Sequence, residues 1–300
     1  MDLKQLEYFV RVAELGSFTR ASSVLEIAQP ALSRQVRLLE TELRQNLLIR
    51  NGRGVVMTDA GKILLEHARG ILHQIVRAKE DLDLVRGAPS GRVAIGMPPS
   101  ISKVLTLPIT TEFRRLMPEA SLSISEGLSM ITQDWLMTGR LDIALLYNPG
   151  YSPHLETVEL FEEELYLISS YSERLEGDSL SIKEVAKLPL IIPARPNALR
   201  MLVETRISQV HGKLNIAFEI DGISSILDLV AEGLGFAILP KYAVNNIDES
   251  QQFHAVPIKE LKSRLVIATA ANRPTTLTQQ SVVELIKTIA IEKIHVAAIN

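Results

Sequence analysis

The sequence predicts a multidomain protein in three parts. These are a small, mostly helical N-terminal domain closed by a β-hairpin, one long helix, and an α/β region of two lobes. Three observations predict it. Two short helical patterns, at residues 18–25 and 30–43, follow one another with only a turn between them. From Leu64 to Val85, apolar residues recur at alternating spacings of four and three. From Arg92 onward, short apolar strands alternate with helical stretches.

Residues 3–15 open the small domain. Leu3, Leu6, Phe9, Val10 and Ala13 make one apolar stripe of a helix. Gly16 suits its C-terminal cap, and Ser17 the N-cap of the helix that follows. In that helix Phe18, Ala21 and Leu25 share a face, and Ala21 is small enough for a close helix crossing. Glu26-Ile27-Ala28 leaves room only for a turn. Pro30 suits the first position of the second helix, where its missing N–H is an orphan donor anyway. Leu32, Val36 and Leu39 then face inward.

The polar face of this second helix carries Gln29, Ser33, Arg34 and Arg37. Gln and Arg pair bidentately with adenine and guanine edges in a major groove. A helix-turn-helix delivers such side chains to the groove. The alternative is an ordinary bundle pair, which would not need Ser and Arg outside or an arginine-bearing hairpin downstream. Leu47–Arg50, the turn Asn51-Gly52-Arg53-Gly54, and Val55–Met57 read as that hairpin. It forms a wing, with Arg50 and Arg53 along phosphates or reaching a minor groove. A solvated charged turn is the alternative.

Thr58 begins the long helix, with Asp59 near the positive end of its dipole. Leu64, Ala68, Ile71, Ile75, Ala78, Leu82 and Val85 form its seam. So narrow a stripe pairs with its own copy, giving a homodimer. About 28 residues reach about 42 Å, enough to separate two domains. A helix packed on a core is the alternative. Arg86-Gly87-Ala88-Pro89-Ser90-Gly91 ends it and forms a hinge.

The remaining chain reads as strands at 92–96, 122–125, 141–147, 165–169, 190–192, 216–220, 236–239 and 264–270. Helices fall between them, and the last covers Thr278–Ile291. Near-continuous apolar strands with crossover helices mean a parallel sheet covered on both faces. The expected boundaries are 1–58, 59–87 and 88–300. Within the last unit, lobe one takes about 92–161 and 266–300, and lobe two about 162–265.

One run carries a resemblance: Ser17-Phe18, Ala21, Leu25, Gln29-Pro30-Ala31-Leu32-Ser33-Arg34-Gln35, Leu39-Glu40, Glu42-Leu43, Leu47, Arg50, Gly54-Val55 and Thr58-Asp59-Ala60-Gly61. It resembles the LysR-type transcriptional regulators, densely over residues 3–65, and the length and C-terminal pattern extend the match to the whole chain. Two departures show: the family usually has Gly where Arg44 stands and Phe where Leu48 stands. Ile27–Pro30 and Leu47–Arg50 look like its nitrogen-assimilation-control branch. The resemblance implies a winged helix-turn-helix DNA-binding domain, a linker helix, and a two-lobe effector domain like the periplasmic binding proteins. It implies double-stranded promoter DNA and RNA polymerase as partners. It further implies a homotetramer built as a dimer of dimers, with a small-molecule effector between the lobes.

Composition agrees with such a role. The 300 residues are 46% hydrophobic and 22% charged, as in ordinary globular chains, and there is no Cys for a disulfide, a zinc thiolate or a nucleophile. No apolar run is long enough for a membrane span, and no signal peptide is expected, which fits the cytoplasm. The net charge of −3 hides an asymmetry: residues 1–92 hold 14 Lys and Arg against 11 Asp and Glu. Residues 29–53 hold five Arg against two Glu, a local basic patch suited to DNA.

Ligands of open α/β sheets lie beyond the C-terminal strand ends. The candidates there are Ser100 and Ser102 after the first strand, Ser129 after the second, and Arg195 and Ser224 in lobe two. Hydroxyls and free N–H groups at a helix start favour a carboxylate, and Arg195 could neutralise one. Simple helix capping by the two serines, and a surface ion pair for Arg195, are the alternatives. An enzyme is the reading from another class, but little favours it. The six His lack metal-ligand spacing, and there is neither a Gly-x-Ser-x-Gly elbow nor a phosphate-binding Gly-Lys loop. Gly233-Leu-Gly235 lacks the third small residue of a dinucleotide loop, and helix packing explains both glycines. No cofactor or metal is expected. A solute-binding transport protein, the third class, does not account for the DNA-reading N-terminus.

Overall fold

The structure is a computed structural model. It describes residues 1–51, 54–83, 91–173, 175, 177–244, 253–271, 273 and 275–299. The N-terminal domain comprises α1 (Leu3–Leu15), α2 (Phe18–Val24), α3 (Gln29–Leu43) and the antiparallel pair β1 (Leu48–Asn51) and β2 (Gly54–Met57). Asp2 and Gln5 close a capping box at the start of α1. Ser17 caps α2, accepting from Arg20 N, while Gly16 sits at φ 59° between the two helices. A side chain at Gly54 would meet the Gly16 carbonyl, so the hairpin lies directly on that inter-helix turn.

α3 begins after Ala28, with Pro30 in its first turn, and ends at Leu43. Arg44 caps it in the left-handed region, at φ 52°. Leu32, Val36 and Leu39 are its buried face. Glu40 does work its charge does not announce: its Oε1 accepts from Leu47 N and Leu48 N at 2.8 and 3.1 Å, tying the hairpin's start to α3.

α4 (Asp59–Asp83) runs for 25 residues. Its first turn is fixed to the head, because a Cβ at Gly61 would strike the Leu47 carbonyl.

The α/β region follows as β3 (Gly91–Met97), α5 (Pro99–Leu116), β4 (Ala120–Glu126), α6 (Ser129–Met137), β5 (Ile143–Tyr147) and β6 (Leu155–Ser170). Then come α7 (Ile182–Val185), β7 (Leu190–Ile192), α8 (Ala198–Gln209), β8 (Ile216–Glu219), α9 (Ile223–Ala231), β9 (Ala237–Pro240), β10 (Phe253–Ala270) and α10 (Leu277–Ile299). One sheet runs β4-β3-β5-β10-β6-β9, and β7 pairs with β8 beside it. Ile191 N donates to Phe236 O, placing β7 against the chain entering β9.

β6 and β10 are long and antiparallel, and they belong to both halves. Near Ala268–Thr157 the ladder lies beside β5 and contributes to the first core, of Ile95, Leu105, Ile143, Leu265 and Ile286. Near Ala255–Ile168 it lies beside β9 and the second core, which includes Leu165, Leu167, Ile192 and Val203. Between them the register breaks at Pro257/Lys262. Residues 258–261 leave the ladder, Ile258 bridges Leu180, and Ile258 and Leu261 are buried.

This differs from the expected strands at 165–169 and 264–270. Each is the second part of a strand that starts about ten residues earlier. The early part of β6 is exposed and rich in Glu, so no apolar run marks it. The glycines of the 233–235 segment also differ from expectation. Gly233 has φ 71°, and a Cβ at Gly235 would lie 2.7 Å from the Pro189 carbonyl, so they serve the turn out of α9 and the seating of β9 against β7 rather than helix packing.

Candidate nucleic-acid interface and inter-lobe cleft

The DNA-facing candidates lie on the outside of a helix whose inside is fully committed to the core. Gln29, Pro30, Arg34 and Arg37 are exposed, and Ser33 is half-buried. Gln29 and Thr19 are 3.4 Å apart across the helix turn. Arg50 does not extend freely. Its guanidinium lies 4.2 Å over the centre of the Phe18 ring, and Nη2 donates to Ser33 Oγ at 2.6 Å. Without DNA, Arg50 is thus seated on the protein rather than extended into solvent. The ring face and the hydroxyl hold the cation against the protein. Arg53 lies outside the described residues.

The seam of α4 divides along its length. Ala68 is fully buried and Leu64 partly, both against Leu6, Phe9, Val10 and Leu39 of the head. As partner contacts these two are corrected: α1 crosses the first turns of α4 and occupies that face. Ile71 is 39% exposed, Ile75 half-exposed and Ala78 exposed, so these remain available. The Leu82 side chain, Val85, the 87/88 boundary and hinge residues 86–90 lie outside the described residues.

α4 also touches lobe one. His73 Nε2 lies 3.1 Å from both carboxylate oxygens of Asp142, and Asp142 Oδ2 accepts from Ala94 N at 2.8 Å. Neither residue was singled out by sequence reasoning, since no local spacing links positions so far apart.

In the cleft, no candidate serine acts as an N-cap of α5. Pro98 holds that position without a side-chain bond, which corrects the capping alternative. Ser100 is half-buried in the first turn. Ser102 is buried and bonds Thr106 Oγ1 at 2.9 Å. Ser129 Oγ accepts from Tyr147 N at 2.9 Å, tying the start of α6 to the end of β5. Arg195 is exposed and paired with Glu204 at 2.9 Å, and that carboxylate raises its pKa. Ser224 is exposed in the first turn of α9. Ser129 thus joins a polar group at the lobe junction, while Ser102 and Arg195 are held by neighbours within their own lobes.

Glu163 belongs to that junction group and went unnoticed in the Glu162-Glu163-Glu164 run. It faces Ser263 across the ladder. Burial pushes its carboxyl up to about 8, against a hydrogen bond with Tyr147 that lowers it. Its Oε2 is buried with no hydrogen-bond partner among the described residues. Asn148, at φ 46°, bonds Ser263 Oγ and accepts from Arg264 N beside it. Recognising the full length of β6 would have placed Glu163 on the same face as Phe161 and Leu165.

Residues 3–62 match the bacterial regulatory helix-turn-helix protein, lysR family, and residues 86–290 match the LysR substrate binding domain. The chain belongs to the LysR family. It is a LysR-type transcriptional regulator, with a helix-turn-helix DNA-binding domain and a two-lobe effector-binding domain. The nitrogen assimilation regulatory protein nac of Escherichia coli (strain K12) is 36% identical over 248 residues, covering 82% of this chain and 81% of that protein. The nac protein of Klebsiella aerogenes gives the same identity and coverage. Both agree with the nitrogen-branch resemblance.

The fold is shared with LysR regulators of known structure. CbnR superposes with a TM-score of 0.69 at 23% identity, covering 97% of this chain and 99% of its own. Full-length OxyR of Pseudomonas aeruginosa gives 0.70 at 22%, covering 97% and 95%. CbnR has also been solved with its target DNA, with a TM-score of 0.54 to this chain at 23% identity and coverage of 97% and 100%. Among the described residues, no helix is long and apolar enough to cross a membrane.

Proposed function

We propose that this LysR-family regulator reads promoter DNA through Gln29, Ser33, Arg34 and Arg37 of α3, with Pro30 setting the helix start in the groove. Arg53 contacts the backbone or minor groove, and Arg50 positions Ser33. The observation that carries this reading is the two-sidedness of α3. Leu32, Val36 and Leu39 are buried, whereas Arg34 and Arg37 are exposed on the opposite face. Ile71, Ile75 and Ala78 pair with a second copy, and two dimers form the tetramer. The protein works in the cytoplasm with RNA polymerase as a further partner, and it is not an enzyme. The division is 1–58, 59–87 and 88–300, with lobes of about 92–161 plus 266–300 and about 162–265.

The test is Arg34→Ala on operator fragments against random DNA. Loss of one base contact should cost about 1–3 kcal/mol on the operator and relax preference at one position. An equal loss on random DNA would remove the base-reading role.

A small metabolite binds between the lobes near Ser100, Ser129 and Ser224 in this reading. A second reading, regulation without an effector, is favoured by one observation. Ser102, Ser129 and Arg195 already hold partners within the chain. Calorimetry of the full chain against metabolites of the regulated pathway separates the two.

A further inference from the structure

Glu163 sits where the two lobes meet. On its own strand, Phe161 packs against the first core and Leu165 belongs to the second. Alternation along β6 puts Glu163 on their face, between the two cores. Opposite it on β10 is Ser263, whose buried hydroxyl accepts from Asn148 Nδ2 at 3.0 Å. From β5, the Tyr147 side chain hydrogen-bonds the Glu163 carboxyl. Tyr147 N in turn donates to Ser129 Oγ in the first turn of α6 at 2.9 Å. Open α/β sheets take their ligands at such strand ends.

The neighbouring charges are committed elsewhere. Lys262 and Arg264 flank Ser263 and so alternate to the other face, as Glu162 and Glu164 do on β6. Lys262 Nζ pairs there with Glu162 at 2.9 Å, and Arg264 Nη1 lies 4.0 Å from Glu159. Oε2 of Glu163 is buried with no hydrogen-bond partner among the described residues, although the residue as a whole is only half-buried. Burial raises the carboxyl to about 8, and the Tyr147 hydrogen bond opposes that. Native folds rarely leave a buried acceptor without a donor, so one beside a cleft points to a ligand.

The carboxyl favours one kind of ligand group. A ligand carboxylate would bring a second negative charge to a place where burial already disfavours the first. A hydroxyl would satisfy Oε2 and supply no charge. A protonated nitrogen donates to Oε2 and also provides the missing cation, so the carboxylate forms as the ligand enters.

We propose that the inter-lobe site takes a metabolite bearing a protonated nitrogen, an amine or a guanidine, with Glu163 as the residue that selects it and Tyr147 as a positioning residue. This rests on the reading of the cleft as a ligand site. Binding releases the Glu163 proton to solvent and leaves an ion pair at the lobe junction.

Benzylamine, benzyl alcohol and benzoate share one skeleton and differ in the group they present. Butylamine, butanol and butyrate do the same on a slimmer one. Each is titrated into the full chain by calorimetry in phosphate buffer at pH 6, 7 and 8. The amines stay protonated throughout, as a lysine does. An amine should bind, and at pH 8 its alcohol and carboxylate analogues should bind roughly tenfold more weakly or worse. Amine affinity should rise about tenfold from pH 6 to pH 7, and further to pH 8, as the carboxyl yields its proton more readily. Glu163→Gln should lose both the amine preference and the pH dependence. Tyr147→Phe removes a bond that favours the carboxylate, so the rise should move to higher pH, which tests the same point without touching Glu163. Thermal melting shows that each variant is folded. Carboxylates binding more tightly than amines in the parent chain overturn the proposal while the inter-lobe site stands. An amine that binds the parent chain and Glu163→Gln equally also overturns it. No binding by any of the six probes defeats the inter-lobe reading itself, and the proposal falls with it.

Discussion

Arg50 Nη2 donates to Ser33 Oγ at 2.6 Å while its guanidinium covers the Phe18 ring, so one wing residue fastens α2 and α3 together. Arg50→Ala should lower the stability of the head by about 1 kcal/mol, from a cation–π contact and one hydrogen bond. Arg50→Lys should recover little, because a lysine cannot stack and donate in that geometry. Thermal melting measures the first effect. The salt dependence of DNA binding measures the second role: a lost phosphate contact lowers the slope by about 0.9. We expect the Arg50→Ala slope to hold while affinity falls, and a drop of that size would return Arg50 to the phosphates.

Arg44 occupies a left-handed cap where the family usually has Gly. A non-glycine residue there carries strain, offset partly by the extra freedom glycine gives the unfolded chain. Arg44→Gly should therefore stabilise the protein by about 0.5–1 kcal/mol. A lower melting temperature for this variant would show that Arg44 makes compensating contacts.

Pairing through α4 predicts a division between neighbouring positions. Ile75→Asp should leave the head folded and convert the assembly to monomers in sedimentation, because a carboxylate in a dry seam lacks a partner. Ala68→Leu should instead act inside one chain, costing about 1–3 kcal/mol by overpacking against Phe9 and Leu39. Full-size assemblies for Ile75→Asp would remove the pairing role of the seam.

Glu163 gives a pH dependence of definite sign. Its folded pKa of about 8 lies above the ordinary 4.5, so the folded state holds a proton that the unfolded state has lost. Stability from this group is complete below the unfolded value and declines as pH rises from about 4.5 to about 8, by on the order of a few kcal/mol. Glu163→Gln should remove that decline, so its gain in melting temperature should grow from pH 5 to pH 8. A constant difference across that range would mean Glu163 is charged and paired in solution.

The head was legible because its signals are local. Gly16, Ser17 and Pro30 mark ends, and Leu32, Val36 and Leu39 mark the inner face. The effector region was legible where strands are buried on both faces, as at Ile143–Leu146. The first halves of β6 and β10 were not legible. Glu156, Glu159 and Glu162 face solvent there, and Pro257 interrupts the pattern at the point where the ladder itself breaks. The Glu163 environment was hidden with them. The division of the α4 seam was hidden for another reason. Periodicity shows which residues share a face, but not that α1 crosses that face at Ala68. The His73–Asp142 pair depends on two elements 69 residues apart, and nothing short-range announces it.

The shared ladder of β6 and β10 also dictates an order of assembly during synthesis. Residues 265–268 insert between β5 and β6, and Ile286 of α10 closes the same core, so lobe one stays open until those residues leave the ribosome. The head needs nothing beyond Leu72 to complete its own core. Contacts so distant along the chain form slowly, and local ones form early. A ribosome stalled in mid-message would therefore release a fragment with a finished head and an open lobe one.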